Sequence, residues 1–570
     1  MTSPRNLLLI ALLFIGYLFW MQWQEDYNKP GSQILASTPA VSTNNPSAPA
    51  AQPADDVPSV GAPPANAAVG ATDTPTTTAS TAAHVVVTTD LLRVEIDPHG
   101  GDVVVADLLA YPQQPKDFAH PVRLLDDRAA TYFVAQSGLA SSSGAAPDHQ
   151  ATYSAEKTDY TLADGSETLE VPLTWTDASG ISVRKVFVFK RASYVIEQRQ
   201  EISNKSAASW TGLAYRQLQR VPPIVDTSGI KGYSNTERYS FVGAAWYSTV
   251  DKFQKLKFAD FDKQPLDRSV AGGWAAMLQH YFFAAWIPPA GETDQYVTKT
   301  VPAGDVSRYR IRTLSPSISV APGETKTDNA RLYVGPKLQS TLNEVAPGLA
   351  LTVDYGVFTV IAEPLHWILA QLHKLTGNWG FAIILLVLLI KAAFFKLSET
   401  QFRSMAKMRK LQPRIEALKE RYGDDRQKMN QAMMELYQKE KANPLAGCLP
   451  MVVQIPVFFA LYWVLLESVE LRQAPFIGWI QNLTAPDPYY VLPVLNAVVM
   501  IATQYLSPTT GMDPTQAKMM KVMPVIFSVL FAFFPAGLVL YYVVNGGLSL
   551  LQQWIITKRV EAGETKAAKA

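Results

Sequence analysis

The sequence has a single cysteine and lacks the short motifs of common enzymes. Cys448 stands alone in 570 residues, so the chain cannot form an internal disulfide. The seven histidines do not cluster at metal-ligand spacing. A zinc-protease motif, a nucleophile elbow and a phosphate-binding loop are all absent. We therefore predict no catalytic or metal site, and we expect neither a cofactor nor nucleic-acid specificity.

Acidic residues are missing from the long apolar runs of the C-terminal half. We predict that these runs are membrane spans, near residues 377–396, 447–466, 489–506, 522–533 and 538–557. The last two come from one stretch that would be roughly 54 Å long as a single helix, so we divide it at the Phe-Pro-Ala-Gly sequence of 534–537. None of the five spans contains Asp or Glu. A proton pump or ion-coupled carrier is therefore disfavoured, because such proteins usually need intramembrane carboxylates.

The first 83 residues contain another apolar run and then a polar tract. Residues 6–23 are longer than a usual signal core, and no small-residue cleavage site follows them. We predict an N-terminal transmembrane anchor over 1–27, with a cleaved signal peptide as the alternative. Residues 28–83 are rich in Pro, Ala, Ser and Thr and cannot bury a core, so they are predicted to be a disordered linker.

Alternation of apolar and polar residues characterises residues 84–345. The segment HVVVTTDLLRVEIDPHGGDVVVADL, which starts at residue 84, alternates on both sides of a turn at 98–101. Segments 193–204 and 306–334 show the same period of two. Such runs, divided by turns, predict an all-β domain of antiparallel strands, and the length of the region favours two stacked or extended sheets.

Loop charges predict the orientation of the spans. Residues 396–446 hold 12 Lys or Arg against 7 Asp or Glu, whereas 467–488 is acidic. Under the positive-inside rule, the basic segment and both termini are cytoplasmic, and the β-domain is periplasmic in a Gram-negative cell. Residues 351–375 mix apolar and charged residues, which predicts an interfacial amphipathic helix that Pro364 breaks or kinks.

The cytoplasmic segment 397–446 has the pattern of a helical hairpin. Apolar residues recur at helical spacing in both arms, and Pro413 suits the first turn of a helix. Asp424 or Asp425 is a candidate N-cap for the second arm. The helical core then extends over 376–558, and residues 559–570 form a short cytoplasmic tail.

Lys391 is the only charged residue in IILLVLLIKAAFF, residues 383–395. A lysine near a helix end can snorkel to the interface at modest cost. The alternative is a water-filled cavity open to the cytoplasm, which would relieve most of the roughly 2.5–3.5 kcal/mol penalty of a lysine at a helix centre. The residues alone leave both interpretations open.

Four segments resemble the YidC family of bacterial membrane protein insertases. They are SMAKMRKLQPRIEALKERYGDD, NPLAGCLPMVVQIPVFFALYWVL, ELRQAPFIGWIQNLTAPDPYYVLP and FPAGLVLYYVVN. The resemblance is almost continuous from residue 351 to 558, and the order of parts resembles the Gram-negative form. It implies a multi-domain membrane protein with an N-terminal anchor helix, an all-β periplasmic supersandwich, and an all-α five-span insertase core with a cytoplasmic helical hairpin.

The resemblance also implies a function and a site. Such proteins insert and help to fold inner-membrane proteins, alone or with the Sec translocon, through a hydrophilic groove open to cytoplasm and lipid. Lys391 occupies the position of the basic groove residue, which is Arg in many members. By the same matching, Ile455 and Phe458 resemble the slide that contacts substrate helices. The polar residues predicted to line the groove are Gln454, Thr503, Ser528, Tyr541, Tyr542 and Asn545.

The expected partners follow from the same resemblance. They are nascent inner-membrane proteins, the Sec translocon with its accessory subunits, and the lipid bilayer. Contact with the ribosome is expected to be weak or transient, because the C-terminal tail is short and only mildly basic.

Two other classes of protein are the alternatives. A solute transporter or channel would be supported by intramembrane carboxylates or an inverted repeat, and the sequence shows neither. A membrane-anchored carbohydrate-binding protein would act through its β-domain and would keep its activity without residues 351–570. A likeness of fold to sugar-binding domains does not by itself predict sugar binding.

Overall fold

A computed structural model describes residues 57–58, 83–224, 240–304, 306–423, 425–440, 444–506 and 514–567. The predicted anchor at 1–27 and most of the predicted linker lie outside these residues. The described chain has a large all-β region followed by a helical region. Both agree with the coarse division predicted from the sequence.

The β-region is built of strands whose residues alternate between the core and the surface. In Leu92–Asp97, for example, Leu92, Val94 and Ile96 are buried and the residues between them are not. The strands are β1 (Val85–Thr88), β2 (Leu92–Asp97), β3 (Asp102–Pro112), β4 (Pro121–Leu125), β5 (Phe133–Ser141), β6 (Ser154–Ala155), β7 (Asp159–Thr161), β8 (Thr168–Thr176), β9 (Ile181–Lys190), β10 (Val195–Asn204), β11 (Trp210–Arg220), β12 (Gly243–Ser248), β13 (Lys252–Leu256), β14 (Asp267–Ala271), β15 (Trp274–Leu278), β16 (Phe282–Ile287), β17 (Thr293–Ala303), β18 (Val306–Leu314), β19 (Ile318–Val320) and β20 (Thr325–Pro336).

These strands form two sheets. The first has the order β14-β17-β18-β11-β5-β3-β2-β1-β7, with β19 paired to β11 and β4 paired to β3. The second has the order β13-β12-β15-β16-β20-β10-β9-β8-β6. The sheets are joined across their facing sides: Trp286 on β16, for instance, donates from Nε1 to the backbone oxygen of Gln217 on β11 at 3.1 Å. The prediction of two sheets of antiparallel strands is confirmed, except that β1 and β7 pair in parallel.

The turn predicted at 98–101 joins β2 to β3. Gly100 and Gly101 have φ angles of 88° and 59°, in the left-handed region that glycine enters without steric strain. A second turn, at Pro322 and Gly323, precedes β20, and Gly323 has a φ angle of 78°. Local turn chemistry therefore sets where these strands end.

The helices are connected by short segments in most places. They are α1 (Gln339–Val345), α2 (Thr359–Thr376), α3 (Trp379–Ala393), α4 (Phe395–Lys410), α5 (Gln412–Tyr422), α6 (Arg426–Lys439), α7 (Pro444–Glu467), α8 (Val491–Leu506), α9 (Pro514–Phe531) and α10 (Ala536–Ala567). We call residues 468–490 the α7–α8 loop. Helix α10 packs against α3, α4 and α8 and also touches α7.

Proline has different effects at three places in this region. Pro364 was predicted to break or kink the interfacial helix. It does not break the helix, because α2 is continuous through this residue. Pro413 lies in the first turn of α5, where its missing N–H removes no helical hydrogen bond. Pro535 lies between α9 and α10. There, the first N–H groups of α10 find acceptors in the α7–α8 loop, since Ala536 and Gly537 donate to backbone oxygens at 2.7 and 2.8 Å.

The described part of segment 397–446 folds as helices that pack on each other. Leu411 and Ile415 are buried against Met433, Leu436 and Tyr437. Asp425 caps α6 by accepting from the backbone N–H of Lys428 at 3.0 Å. Asp425 is therefore the N-cap of α6. The other candidate, Asp424, lies outside the described residues.

By length and composition, no individual helix among the described residues qualifies as a membrane span. The segments Trp379–Ala393 and Phe395–Ala406, which meet at a bend of 68°, qualify when taken together.

Candidate functional site

Helix α3 places Lys391 in its last turn. The start of the helix is fixed by Asn378, whose side-chain oxygen accepts from the backbone N–H groups of Gly380 and Phe381 at 2.9 and 3.2 Å. The amide of Asn378 also donates to the backbone oxygen of Phe476 at 2.9 Å, which ties α3 to the α7–α8 loop. Lys391 is 9% exposed. Its cation lies near the C-terminal carbonyls of the helix, where the helix dipole favours positive charge.

The ammonium group of Lys391 contacts a hydroxyl group on α10. Its Nζ donates to Ser549 Oγ at 2.6 Å, and Ser549 Oγ donates in turn to the backbone oxygen of Asn545 at 2.8 Å. On the same helix, Asn545 Oδ1 accepts from Gln454 Nε2 of α7 at 3.1 Å. A chain of polar groups therefore connects α3, α10 and α7.

A small, partly enclosed cleft lies beside this polar chain. It is lined by Ile390, Lys391, Phe394, Leu397, Ser398, Gln454 and Val457. Among the described residues, the lining combines one cation and two neutral polar side chains with apolar residues, without a carboxylate. Such a cleft can attract an acidic group at one point while presenting apolar surface around it.

The two residues predicted to contact substrate helices lie on α7: Ile455 directly follows Gln454, and Phe458 lies one turn after it. Ile455 and Phe458 are both partly exposed. The ring of Phe458 lies 5.1 Å from that of Tyr542 on α10, and Tyr542 lies 4.4 Å from Phe531 at the end of α9. The three rings form one aromatic cluster across three helices, in which Phe458 and Tyr542 are partly exposed and Phe531 is buried.

The other predicted groove residues are placed differently. Thr503 Oγ1 donates to the backbone oxygen of Val499 at 2.8 Å, and Ser528 Oγ donates to that of Pro524 at 2.6 Å, so each hydroxyl bonds to the preceding turn of its own helix. Tyr541 is 1% exposed. None of these three predicted residues is among those that line the cleft.

Ser549 is a site residue that sequence reasoning missed. A serine in an apolar helix gives a weak signal, since its hydroxyl can always bond to its own backbone. The available signal was spacing: Tyr541, Asn545 and Ser549 are four residues apart, which places them on one face of α10. Reading that spacing against Lys391 would have required knowing that α3 and α10 are neighbours.

A second polar group lies where the β-region meets the helical region. Ser240 donates from Oγ to Glu467 Oε1 at 2.9 Å, and His280 Nε2 lies 3.0 Å from the backbone oxygen of Leu466. Glu467, His280 and Lys337 are each 2% exposed. No feature of the sequence indicated that these residues, up to 227 positions apart, would meet.

The electrostatics of this junction assign the proton of the histidine. Burial lowers the pKa of His280 to about 3, with the nearby cations of Lys337 and Arg472 acting in the same direction. His280 is therefore neutral near pH 7 and donates from Nε2 to the backbone oxygen of Leu466. Burial also lowers the pKa of Lys337, which the nearby carboxylate of Glu467 opposes.

Two family models match the chain, one for each of these regions. The model described as the YidC periplasmic domain matches residues 84–368. The model described as 60Kd inner membrane protein matches residues 371–564.

Curated relatives are similar over nearly the whole length, and each is named Membrane protein insertase YidC. That of Nitrosococcus oceani is 48% identical, with 98% of this chain and 99% of the relative covered. That of Methylococcus capsulatus is 46% identical, with both chains covered completely. A solved structure described as an active YidC insertase aligns with 83% of this chain and 92% of its own, at 19% identity and a TM-score of 0.36.

Proposed function

Because this chain belongs to the YidC family of membrane protein insertases, we propose that it inserts and helps to fold inner-membrane proteins through the cleft beside Lys391. Insertion makes and breaks no covalent bond, so the protein is not an enzyme and needs no catalytic residue. The cleft instead has to lower the free energy of moving a polar guest segment part of the way into the membrane.

The observation that carries this proposal is the partner of the buried cation. Lys391 donates to a hydroxyl group, and the part of the cleft lining that the structure describes contains no carboxylate. A neutral partner stabilises the ammonium group without cancelling its charge. Opposite unit charges 4 Å apart attract by about 4 kcal/mol at an effective dielectric constant near 20, so an acidic guest segment would be drawn toward Lys391.

The apolar part of the guest would then leave along α7. Ile455, Phe458 and Tyr542 offer partly exposed apolar surface next to the cleft. A guest helix on that surface would exchange protein contacts for lipid contacts, and transfer of its apolar side chains out of water supplies the driving force.

The proposed topology has six spans, with both termini in the cytoplasm and the β-domain in the periplasm. The anchor at 1–27 and the five core spans follow the apolar runs, and the loop charges support their orientation. Thr503 and Ser528 are proposed to line the groove only when α8 and α9 move apart, since their hydroxyls now bond within their own helices.

Nascent inner-membrane proteins are the proposed clients. The Sec translocon and its accessory subunits are proposed as partners for larger clients, and the ribosome as a weak or transient one. Residues 559–570 are only mildly basic, which supports a weak ribosome contact.

The proposal is tested by insertion of a small guest protein into liposomes that contain only this full-length chain. We expect insertion of a guest with an acidic translocated segment, a loss of roughly tenfold for Lys391→Ala, which corresponds to about 1.4 kcal/mol, and little loss for Lys391→Arg. Lys396→Ala is the matched control, because Lys396 is a lysine five residues away whose side chain is 92% exposed. Failure of the unaltered chain to insert any guest would favour a transporter or a carbohydrate-binding protein instead.

A further inference from the structure

The turn that joins β3 to β4 is fastened to the α7–α8 loop. Arg472 Nη1 and Gln473 Nε2 donate to the backbone oxygen of Pro112 at 2.9 and 3.0 Å. Lys116 Nζ donates to Gln481 Oε1 at 3.0 Å. Two of these three bonds share the carbonyl of Pro112. Together, the bonds fix the position of the turn relative to the loop.

The α7–α8 loop has the side chains of a membrane interface. Ile477, Trp479, Tyr489 and Tyr490 are large apolar or aromatic residues, and all four are exposed. Tyr and Trp concentrate at the boundary between headgroups and acyl chains, because one part of each ring system is apolar and the other can hydrogen-bond. In the proposed topology, this loop lies at the outer face of the membrane.

Phe118 lies in the fastened turn, two residues after Lys116. It is 63% exposed, and the polar residues Asp117 and His120 close to it pair with each other at 2.9 Å. Nothing in the turn needs an aromatic side chain for packing. An exposed phenylalanine held next to an aromatic interfacial loop therefore indicates contact with an apolar phase.

Strand register places two more exposed apolar residues at this end of the β-domain. Arg220 pairs with Tyr309 between β11 and β18, and its Nη2 donates to Gln279 Oε1 at 3.2 Å, next to the junction with α7. Ile224, which is 81% exposed, follows Arg220 by four residues. Val306, which is 51% exposed, precedes Tyr309 by three residues.

Val250 is an exposed apolar residue at the end of a hairpin whose other end contacts the helical region, and it serves as the comparison. It lies in the turn between β12 and β13 and is 84% exposed. The other end of that hairpin contacts the helical region, because Lys255 pairs with Asp354 shortly before α2. Val250 precedes Lys255 by five positions, which corresponds to roughly 16 Å along an extended chain.

We propose that Phe118, Ile224 and Val306, here called the apolar rim, rest in the outer leaflet at the boundary between headgroups and acyl chains. The rim would hold the β-domain upright on the bilayer and set its distance from the cleft. The lipid is favoured as the occupant because the β3–β4 turn, which carries Phe118, is bonded to the exposed aromatic α7–α8 loop, and the register of β11 and β18 places Ile224 and Val306 at the end of the β-domain that meets α7. The inference rests on the proposed topology, in which that loop faces outward.

The test uses the full-length chain alone in liposomes. Cys448 is first changed to Ser, and single cysteines are then introduced by Phe118→Cys, Ile224→Cys, Val306→Cys and Val250→Cys. An environment-sensitive fluorophore is attached to each, and its quenching is compared between lipids with nitroxide headgroups and aqueous iodide. Ile477→Cys is the reference for the α7–α8 loop, because Ile477 is exposed there.

We expect the lipid quencher to remove most of the fluorescence at the three rim positions and at 477, and little at 250, with iodide giving the reverse order. Rim labels that behave like the label at 250, while the label at 477 is quenched by lipid, would overturn the inference and leave the topology intact. Rim labels protected from both quenchers would also overturn it, because the rim would then pack against a second copy of the protein. If the label at 477 is reached only by iodide, the proposed topology itself fails, and the inference fails with it.

Discussion

A substitution at Ser549 can neutralise the positive charge of Lys391 while leaving the lysine itself unchanged. Its hydroxyl accepts from the ammonium group at 2.6 Å, so a carboxylate in its place would form an ion pair at short range. The pair would be nearly neutral when seen from the cleft. The charge and the lysine side chain can therefore be tested separately.

We expect Ser549→Asp to reduce insertion of a guest with an acidic translocated segment by roughly tenfold, as for Lys391→Ala, which is about 1.4 kcal/mol. Ser549→Asn is the control, because its amide oxygen offers a neutral acceptor, and we expect it to keep most of the activity. Insertion into liposomes is measured for both variants with the same guest. Normal insertion by Ser549→Asp would mean that the net charge beside the cleft does not capture the guest.

Two neighbouring glycines show how closely the helices approach at the scale of elements. A Cβ atom on Gly546 would lie 2.7 Å from Val499 Cγ1 of α8, whereas one on Gly547 would meet nothing within 4 Å. Valine is stiff about χ1 and cannot easily move aside. The α8–α10 contact therefore depends on the missing side chain at one position and not at the next.

We expect Gly546→Ala to lower the free energy of unfolding by about 1–3 kcal/mol through overpacking. Gly547→Ala should raise it by up to about 1 kcal/mol, because alanine favours a helix interior more than glycine does. Thermal unfolding of the two full-length variants in the same detergent provides the measurement. Equal shifts for both would show that α8 and α10 do not pack as closely as described.

Local patterns in the sequence predict where helices and strands begin and end better than they predict which of these elements pack against each other. The turn at Gly100 and Gly101, the helix restart at Pro413 and the cap at Asp425 each depend on a few adjacent residues, and the structure confirms all three. The bond from Lys391 to Ser549 joins residues 158 positions apart. Such contacts depend on how helices pack, and no local pattern encodes them.

At the scale of the whole molecule, the β-region and the helices are joined at the junction with α7. His280 is buried there as a neutral donor to Leu466. In the unfolded chain its pKa would return to the usual value of 6.5, compared with about 3 in the folded protein. Between these values the unfolded state binds the extra proton, so this residue lowers the stability as the pH falls through that window.

We expect His280→Gln to weaken the dependence of stability on pH between 7 and 5, because the glutamine amide can donate to Leu466 but does not titrate. The unfolding midpoint of the full-length chain should fall further on acidification than that of the variant. The other titrating groups are common to both proteins, so the difference between the two curves isolates His280. Parallel curves would show that the histidine does not remain neutral at the junction.

The claim that Lys391 captures guests through its charge is tested most directly by reversing both charges. Lys391→Glu is combined with a guest whose translocated acidic residues are changed to lysine, and insertion into liposomes is measured for all four pairs of protein and guest. We expect each single reversal to reduce insertion and the double reversal to restore much of it, since the attraction depends only on opposite sign. Double reversal that inserts no better than the single reversals would contradict the account.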